Sequence, residues 1–246
     1  MVTRQMVTAT GRRAAAKQEP RPALTRPELS RERPETATHA RILESAITLF
    51  AARGFAEVTV RDIAEHAGAN PAAISYYFGA KDQLIKHAIR SVIAPVNEKR
   101  LAALAAVTGP VSVEAIVRAM VEPTVQACMA SDGPERHYAR VLVLSFALRQ
   151  QFIDDVMSEQ TDQVAARFVA ALTKALPHAD RGTLFWHYDF MIGALMHILL
   201  DGSRGHRLRR LSEGRADTSD ARAMTEQLVA FIIAGMQRGG PSTARA

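Results

Sequence analysis

A chain of 246 residues, 48% of them hydrophobic, carries enough apolar material to bury a sizeable core in one large domain or two modest ones. Its formal net charge of +6 permits an anionic partner without demanding one, and its single cysteine, Cys128, excludes an internal disulfide. The longest apolar run, 191–200, is too short to span a bilayer and contains His197, and no continuous apolar segment opens the chain, so the reading is a protein of the cytoplasm with no membrane partner.

Residues 1–35 read as a flexible basic arm. Arg4, Arg12, Arg13, Lys17, Arg21, Arg26, Arg31 and Arg33 alternate with Pro20, Pro22, Pro27 and Pro34, and large apolar side chains are scarce. Such an arm suits either a solvated tail or contact with a minor groove. Beyond it the spacing is helical throughout. No stretch shows clean period-two alternation and no repeat is visible, so an all-α fold is expected.

The first helix is predicted over 38–53, where Ile42, Leu43, Ala46, Leu49 and Phe50 form an apolar stripe and Gly54 supplies the stop. The second follows Thr59, a natural cap, with Asp62 as an imperfect capping-box partner, and ends at Gly68. The third starts from Asn70 with Pro71 at its first position. The fourth opens near Lys81, and Pro95 is expected to kink or end it.

The second half reads as helices over 112–129 (interrupted at Pro123), 135–149, 152–176, 180–200 and 218–237, with stops at Pro177, Gly202 and Gly239. Arg204, Arg207, Arg209 and Arg210 fall in a Gly/Ser-rich loop. The 180–200 helix is apolar nearly all round and is expected to be buried on more than one side; the last helix is similarly broad. These two helices suit a four-helix interface with a second copy of the chain, with Gly193 and Gly235 permitting close approach. A core within one chain is the plainer alternative.

Residues 60–79 fit a helix-turn-helix position by position. Ile63 and Ala67 face inward, Ala64 is small where the helices cross, and Gly68 opens the turn. Ile74 and Tyr77 are expected to pin the third helix, while Ala72 and Ala73 let it approach base edges, with a thymine methyl as their apolar contact. The open end of the second helix at Thr59, together with Arg61, Tyr76, Tyr77 and Lys81, offers phosphate-binding groups. Charges nearly balance between 36 and 81, so charge alone does not nominate this region.

The runs "LFAARGF", "TVRDIAEHAG" and "YYFGAKDQL", within about 40–85, closely resemble the N-terminal domain of the TetR family of transcriptional regulators. The resemblance implies an all-helical homodimer, a double-stranded DNA operator with two half-sites, and repression usually relieved by a small-molecule effector. Carried over by position, the DNA contacts would be Thr59, Val60 and Arg61, then Pro71, Ala72, Ala73, Ser75, Tyr76 and Tyr77, with Lys81 after them. Alanine at both 72 and 73 departs from polar base readout, which shifts specificity to Ser75, Tyr76, apolar contacts or DNA shape. "LFWHYDFMIGAL" and "LVAFIIAGM" look like the dimerisation helices of a fatty-acid-responsive branch, which implies an apolar or acyl-type ligand.

For the sensor half, Phe146, Met157, Phe168, Trp186, Phe190 and Met191 are candidates to line a cavity, and Arg140 and Arg149 to pair a ligand carboxylate. The plainer account makes the aromatics ordinary core and sends the arginines to solvent. His187 and His197 lie about 80° apart on a helical wheel, not on one turn, so no metal is expected. No phosphate loop, His-Glu-x-x-His or nucleophile elbow is present, so neither an enzyme nor a cofactor is expected. The expected division is a basic arm at 1–35, a DNA-binding domain at 36–81, a regulatory and dimerisation domain at 82–238 and a tail at 239–246. The alternative is a helical ligand-binding or scaffolding protein whose helix-turn-helix is vestigial.

Overall fold

The computed structural model describes residues 34–110, 112–148, 150–201 and 205–237, and every regular element among them is a helix. The basic arm therefore lies almost wholly outside the described residues, as do Arg149, Gly202, Arg204, Gly239 and the tail at 239–246.

Helix α1 (Pro34–Arg53) starts a turn earlier than predicted and buries Ile42, Ala46 and Phe50, one residue per turn on one face. Gly54 leaves it at φ 87°. The capping box of α2 (Val60–Ala67) is complete rather than imperfect. Asp62 N donates to Thr59 Oγ1 at 3.1 Å, and Thr59 N donates to Asp62 Oδ2 at 2.8 Å. Gly68, at φ 57°, makes the left-handed turn, and Asn70 Oδ1 accepts from Ala72 N at 2.8 Å to open α3 (Pro71–Phe78).

A helix as short as α3 is held by its neighbours. Ile74 is fully buried, as expected; Phe78 is a further buried anchor, and Tyr77 packs half-buried against the core with its ring edge-on to His39 at 5.8 Å. Residues 74 and 78 share one row of the helix and point into the core, which leaves Tyr77 at its edge. Phe78 stacks on His39 at 4.5 Å between ring centroids and meets the edge of His87 at 5.5 Å.

Helix α4 (Lys81–Ala105) continues past Pro95, so the proline does not end it. The proline costs about 3 kcal/mol. Val92, Ile93 and Val96 beside it are fully buried, and such side chains stabilise by about 1.5–3 kcal/mol each. Packing therefore outweighs the lost hydrogen bond. Pro123 likewise sits inside an unbroken α5 (Val113–Cys128), flanked by buried Val121, Thr124 and Val125.

A short 3-10 turn (Pro134–His137) followed by α6 (Tyr138–Ala147) replaces the single helix predicted over 135–149. Then come α7 (Gln151–Ala175) and α8 (Arg181–Leu199), the latter capped by Asp180. Arg207, Arg209 and Arg210 are not loop residues: they lie on α9 (Arg207–Leu211). Asp201 holds that segment by accepting from Leu208 N at 3.1 Å and Thr218 Oγ1 at 2.8 Å. The last helix, α10 (Ala221–Gln237), packs on α5 and α8.

One continuous core joins the N-terminal helices to the rest, with α4 packed on α1, α5 and α7. Arg90 of α4 makes a two-point ion pair with Glu159 of α7, at 2.7 and 3.0 Å. Within one chain α8 is buried on one side only. Leu184, Met191, Leu195 and Met196 face the core, while Trp186 and Phe190 are each 63% exposed.

Candidate nucleic-acid interface and ligand cavity

The α2–α3 unit presents a defined outer face. Pro71, Ala72, Ser75 and Tyr76 are exposed along one side of α3, and Tyr76, at 78% exposure, stands furthest out. Its ring rests edge-on against Tyr77 at 5.0 Å. Ala73 and Tyr77, expected on the same face, are half-buried against the core. On α2, Arg61 is exposed and Val60 is half-buried. Lys81 Nζ donates to the Ala56 carbonyl at 3.2 Å, which holds the ammonium beside the chain entering α2.

The open end of α2 is less inviting to an anion than its sequence suggests. Thr59 Oγ1 also donates to Asp62 Oδ2 at 2.8 Å, so its hydroxyl serves the cap. The hydrogen bonds from Thr59, with Arg53 at 3.1 Å, hold the Asp62 carboxyl below the usual carboxylate range. That carboxylate answers the positive end of the helix itself. The N–H groups of Val60 and Arg61 remain as the helix's free donors, since the first turn has no intrahelical acceptor for them.

About 28 Å further along α4, at 1.5 Å per residue from Lys81, lies a cavity of about 480 Å³. Asn97 and Arg100 of α4 line it, with Tyr138, Leu142 and Phe146 of α6, Thr161, Asp162, Val164 and Ala165 of α7, and Phe185, Trp186, Tyr188, Asp189 and Ile192 of α8. Arg100 is 2% exposed. Its Nε donates to Thr124 Oγ1 at 2.8 Å, and its Nη1 to Tyr138 OH at 2.6 Å and Asn97 Oδ1 at 3.2 Å. Burial pushes the Tyr138 phenol up despite the neighbouring guanidinium, and burial pushes Tyr188 up to about 12. A second cavity of about 510 Å³, between the end of α4 and α7, is lined only by exposed and half-buried residues such as Leu101, Arg167 and Lys174.

Of the residues expected to line a cavity, Phe146 and Trp186 do. Met157, Phe168 and Met191 are core residues, Phe190 faces outward, and Arg140 points to α1, where Nη2 donates to the Ala52 carbonyl at 3.2 Å. Arg149 lies outside the described residues. The residue that sequence reasoning missed is Arg100. Its signal was present: Ile89, Val92, Ile93, Val96 and Arg100 fall on one helical stripe, so a cation sits where a core residue belongs.

Cys128 is a packed thiol, pushed up to about 11 by burial, and is unsuited to nucleophilic chemistry at neutral pH. Among the described residues no group of three metal-ligating side chains converges. His187 Nδ1 is buried without a hydrogen-bond partner among the described residues, and burial lowers its pKa.

Residues 42–88 match the family described as "Bacterial regulatory proteins, tetR family", and residues 118–235 match "Tetracyclin repressor-like, C-terminal domain". The probable HTH-type transcriptional regulator YttP of Bacillus subtilis is 44% identical over 55 residues, 22% of this chain and 27% of that protein. The HTH-type transcriptional regulator BetI of Rhizobium meliloti is 35% identical over 78 residues, 31% of this chain and 38% of that protein. These matches thus span well under half the length of the curated relatives. The fatty acid degradation regulator FadR of Bacillus halodurans superposes with a TM-score of 0.58 over 80% of this chain and 98% of its own, at 16% identity, a likeness of fold. Matched at both its helix-turn-helix and its C-terminal helices, the chain belongs to the TetR family of transcriptional regulators.

Proposed function

We propose that the chain is a dimeric, ligand-responsive repressor that binds a DNA operator of two half-sites and leaves it when a small apolar or acyl-type ligand enters the cavity between α4, α6, α7 and α8. This reading assigns residues 36–81 to DNA binding and 82–238 to regulation and dimerisation, with 1–35 and 239–246 as arm and tail. The observation that carries it is the course of α4. Its first residue, Lys81, abuts the helix-turn-helix, and its later residues Asn97 and Arg100 line the cavity.

The exposed side of α3 supports entry into a major groove, with Ala72 available to a thymine methyl and Ser75 and Tyr76 to bases or backbone. Arg61, the α2 N–H groups, Tyr77 and Lys81 suit phosphates, which set register more than sequence. Thr59 contributes through its cap, Val60 and Ala73 through packing, and Pro71 by starting α3. Exposed aromatics on α8 and α10 support a homodimer through those helices, and no side chain stands within 4 Å of where a Cβ would sit at Gly193 or Gly235. The two α3 helices would then lie about one turn of DNA apart. A ligand acts through its different affinity for the bound and spread arrangements.

Selection of genomic fragments by the purified protein tests the first half of this reading. An enriched sequence with two half-sites is expected. Its absence would favour a helical ligand-binding or scaffolding protein. Spin labels placed on α3 of both protomers test the second half: the distance between them should change at saturating ligand, and an unchanged distance rules out release by spreading.

A further inference from the structure

Arg100 is a buried cation with no carboxylate in ion-pair contact among the described residues. Its acceptors Thr124, Asn97 and Tyr138 are all neutral, and its Nη2 is buried with no hydrogen-bond partner among the described residues. A buried charge is costly unless it is paired, and a guanidinium edge fits a carboxylate better than any neutral group. Arg100 lines the cavity, so the partner that this edge lacks can come from whatever enters. The neighbours fix the fork for that purpose: Nε and Nη1 are both engaged, which leaves Nη2 as the free donor. The Tyr138 phenol accepts from Nη1 and keeps its own proton to donate.

We propose that the effector is a monocarboxylic acid with an aliphatic or aromatic body, its carboxylate received by Arg100 Nη2 and the Tyr138 hydroxyl at the floor of the cavity. The proposal rests on reading this cavity as the effector site. Leu142, Val164, Ile192 and Trp186 supply the apolar wall for the body of the acid. Asp162 and Asp189, exposed and on the same lining, restrict the charge: one buried cation matches one anion, and two outer carboxylates repel a second. The same two aspartates make an amine the competing ligand class, which the test includes.

The full-length protein is titrated by calorimetry with octanoate, octanamide and octylamine, and with 3-phenylpropanoate, 3-phenylpropanamide and 3-phenylpropylamine. At least one acid should bind about tenfold or more tightly than its amide and amine, the gain expected of a charge-assisted hydrogen bond. In Arg100→Met that preference should vanish, and in Arg100→Lys, which keeps the charge and the fold's buried cation but loses the planar fork, it should shrink without vanishing. No binding by either acid, equal binding of acid and amide, tighter binding of the amine, or an unchanged preference in Arg100→Met would each overturn the proposal. Release of a fluorescent operator duplex is followed in parallel. An acid that binds through Arg100 but leaves the operator bound confirms the carboxylate site and refutes the effector reading beneath it.

Discussion

Arg140 Nη2 donates to the carbonyl of Ala52 at 3.2 Å and thereby ties α6, a wall of the cavity, to the last turn of α1. Leu144 of the same helix lies beside Gly54, close enough that a Cβ there would touch its side chain at 3.8 Å. The N-terminal helices thus rest on a helix that a ligand would press. Arg140→Ala should leave effector affinity within about twofold, because Arg140 does not line the cavity, while the ratio of operator affinities without and with effector falls about threefold to tenfold, the range of residues that carry coupling alone. Anisotropy of labelled operator, measured with and without the releasing acid, gives that ratio. Loss of effector binding itself would instead return Arg140 to the ligand.

Lys81 and Tyr76 should separate affinity from specificity. The Lys81 ammonium, held on the Ala56 carbonyl, is suited to one phosphate. Lys81→Ala should weaken binding to operator and scrambled duplex alike and lower the slope of log affinity against log salt by about one. Tyr76 stands 78% exposed on the outer side of α3. Tyr76→Ala should narrow the gap between operator and scrambled duplex as well. Mobility shifts over a salt series decide both, and an unaffected Lys81→Ala removes that residue from the interface.

The unequal legibility of these two sites has a physical cause. Capping and turn chemistry are local, so Thr59, Gly68 and Asn70-Pro71 placed α2 and α3 from sequence alone. The helices continue past Pro95 and Pro123 because tertiary burial around them outweighs the local preference to stop. The cavity was harder still, since its lining comes from four helices whose relative rotation no periodicity encodes. Aromatic character alone does not separate lining from core: Phe146 and Trp186 line the cavity, while Phe168 lies in the core and Phe190 faces outward. The stronger signal was a charge in the wrong place, Arg100, on the apolar stripe of α4.

Acidification should destabilise the fold in two stages. His87, His137 and His187 all have pKa values lowered from 6.5, with burial as the first cause in each. A depressed histidine means that the unfolded chain binds its proton first, so stability is lost as pH falls below about 6.5 and on through the folded value. His137 Nε2 also accepts from Arg136 Nε at 3.1 Å, a bond that protonation abolishes. Asp62, Glu135 and Glu159 are depressed too, by hydrogen bonds first, and their contribution is lost only below their ordinary values of 3.8–4.5. Melting temperatures should therefore decline already between pH 6.5 and 5, and His137→Gln should flatten that portion. A melting temperature constant across it would show that burial does not govern these histidines.

The outward aromatic faces of α8 and α10 make the last prediction. Trp186 and Phe190 lie 5.7 Å apart between ring centroids, each 63% exposed, and Phe231 of the adjoining α10 is 71% exposed. Large exposed rings on two adjoining helices suit an isologous contact. Phe190→Asp and Phe231→Asp each put a charge where rings would be desolvated, without touching the core, so each chain should keep its helical content and melt cooperatively. Sedimentation should show the wild type as a dimer, and each variant should raise the dissociation constant by about 100-fold, as for a truncated interface anchor. The consequence for DNA follows from symmetry: each variant should retain affinity for a single half-site and lose the gain from two held in register. A monomeric wild type, or variants that sediment as dimers, would place the interface elsewhere.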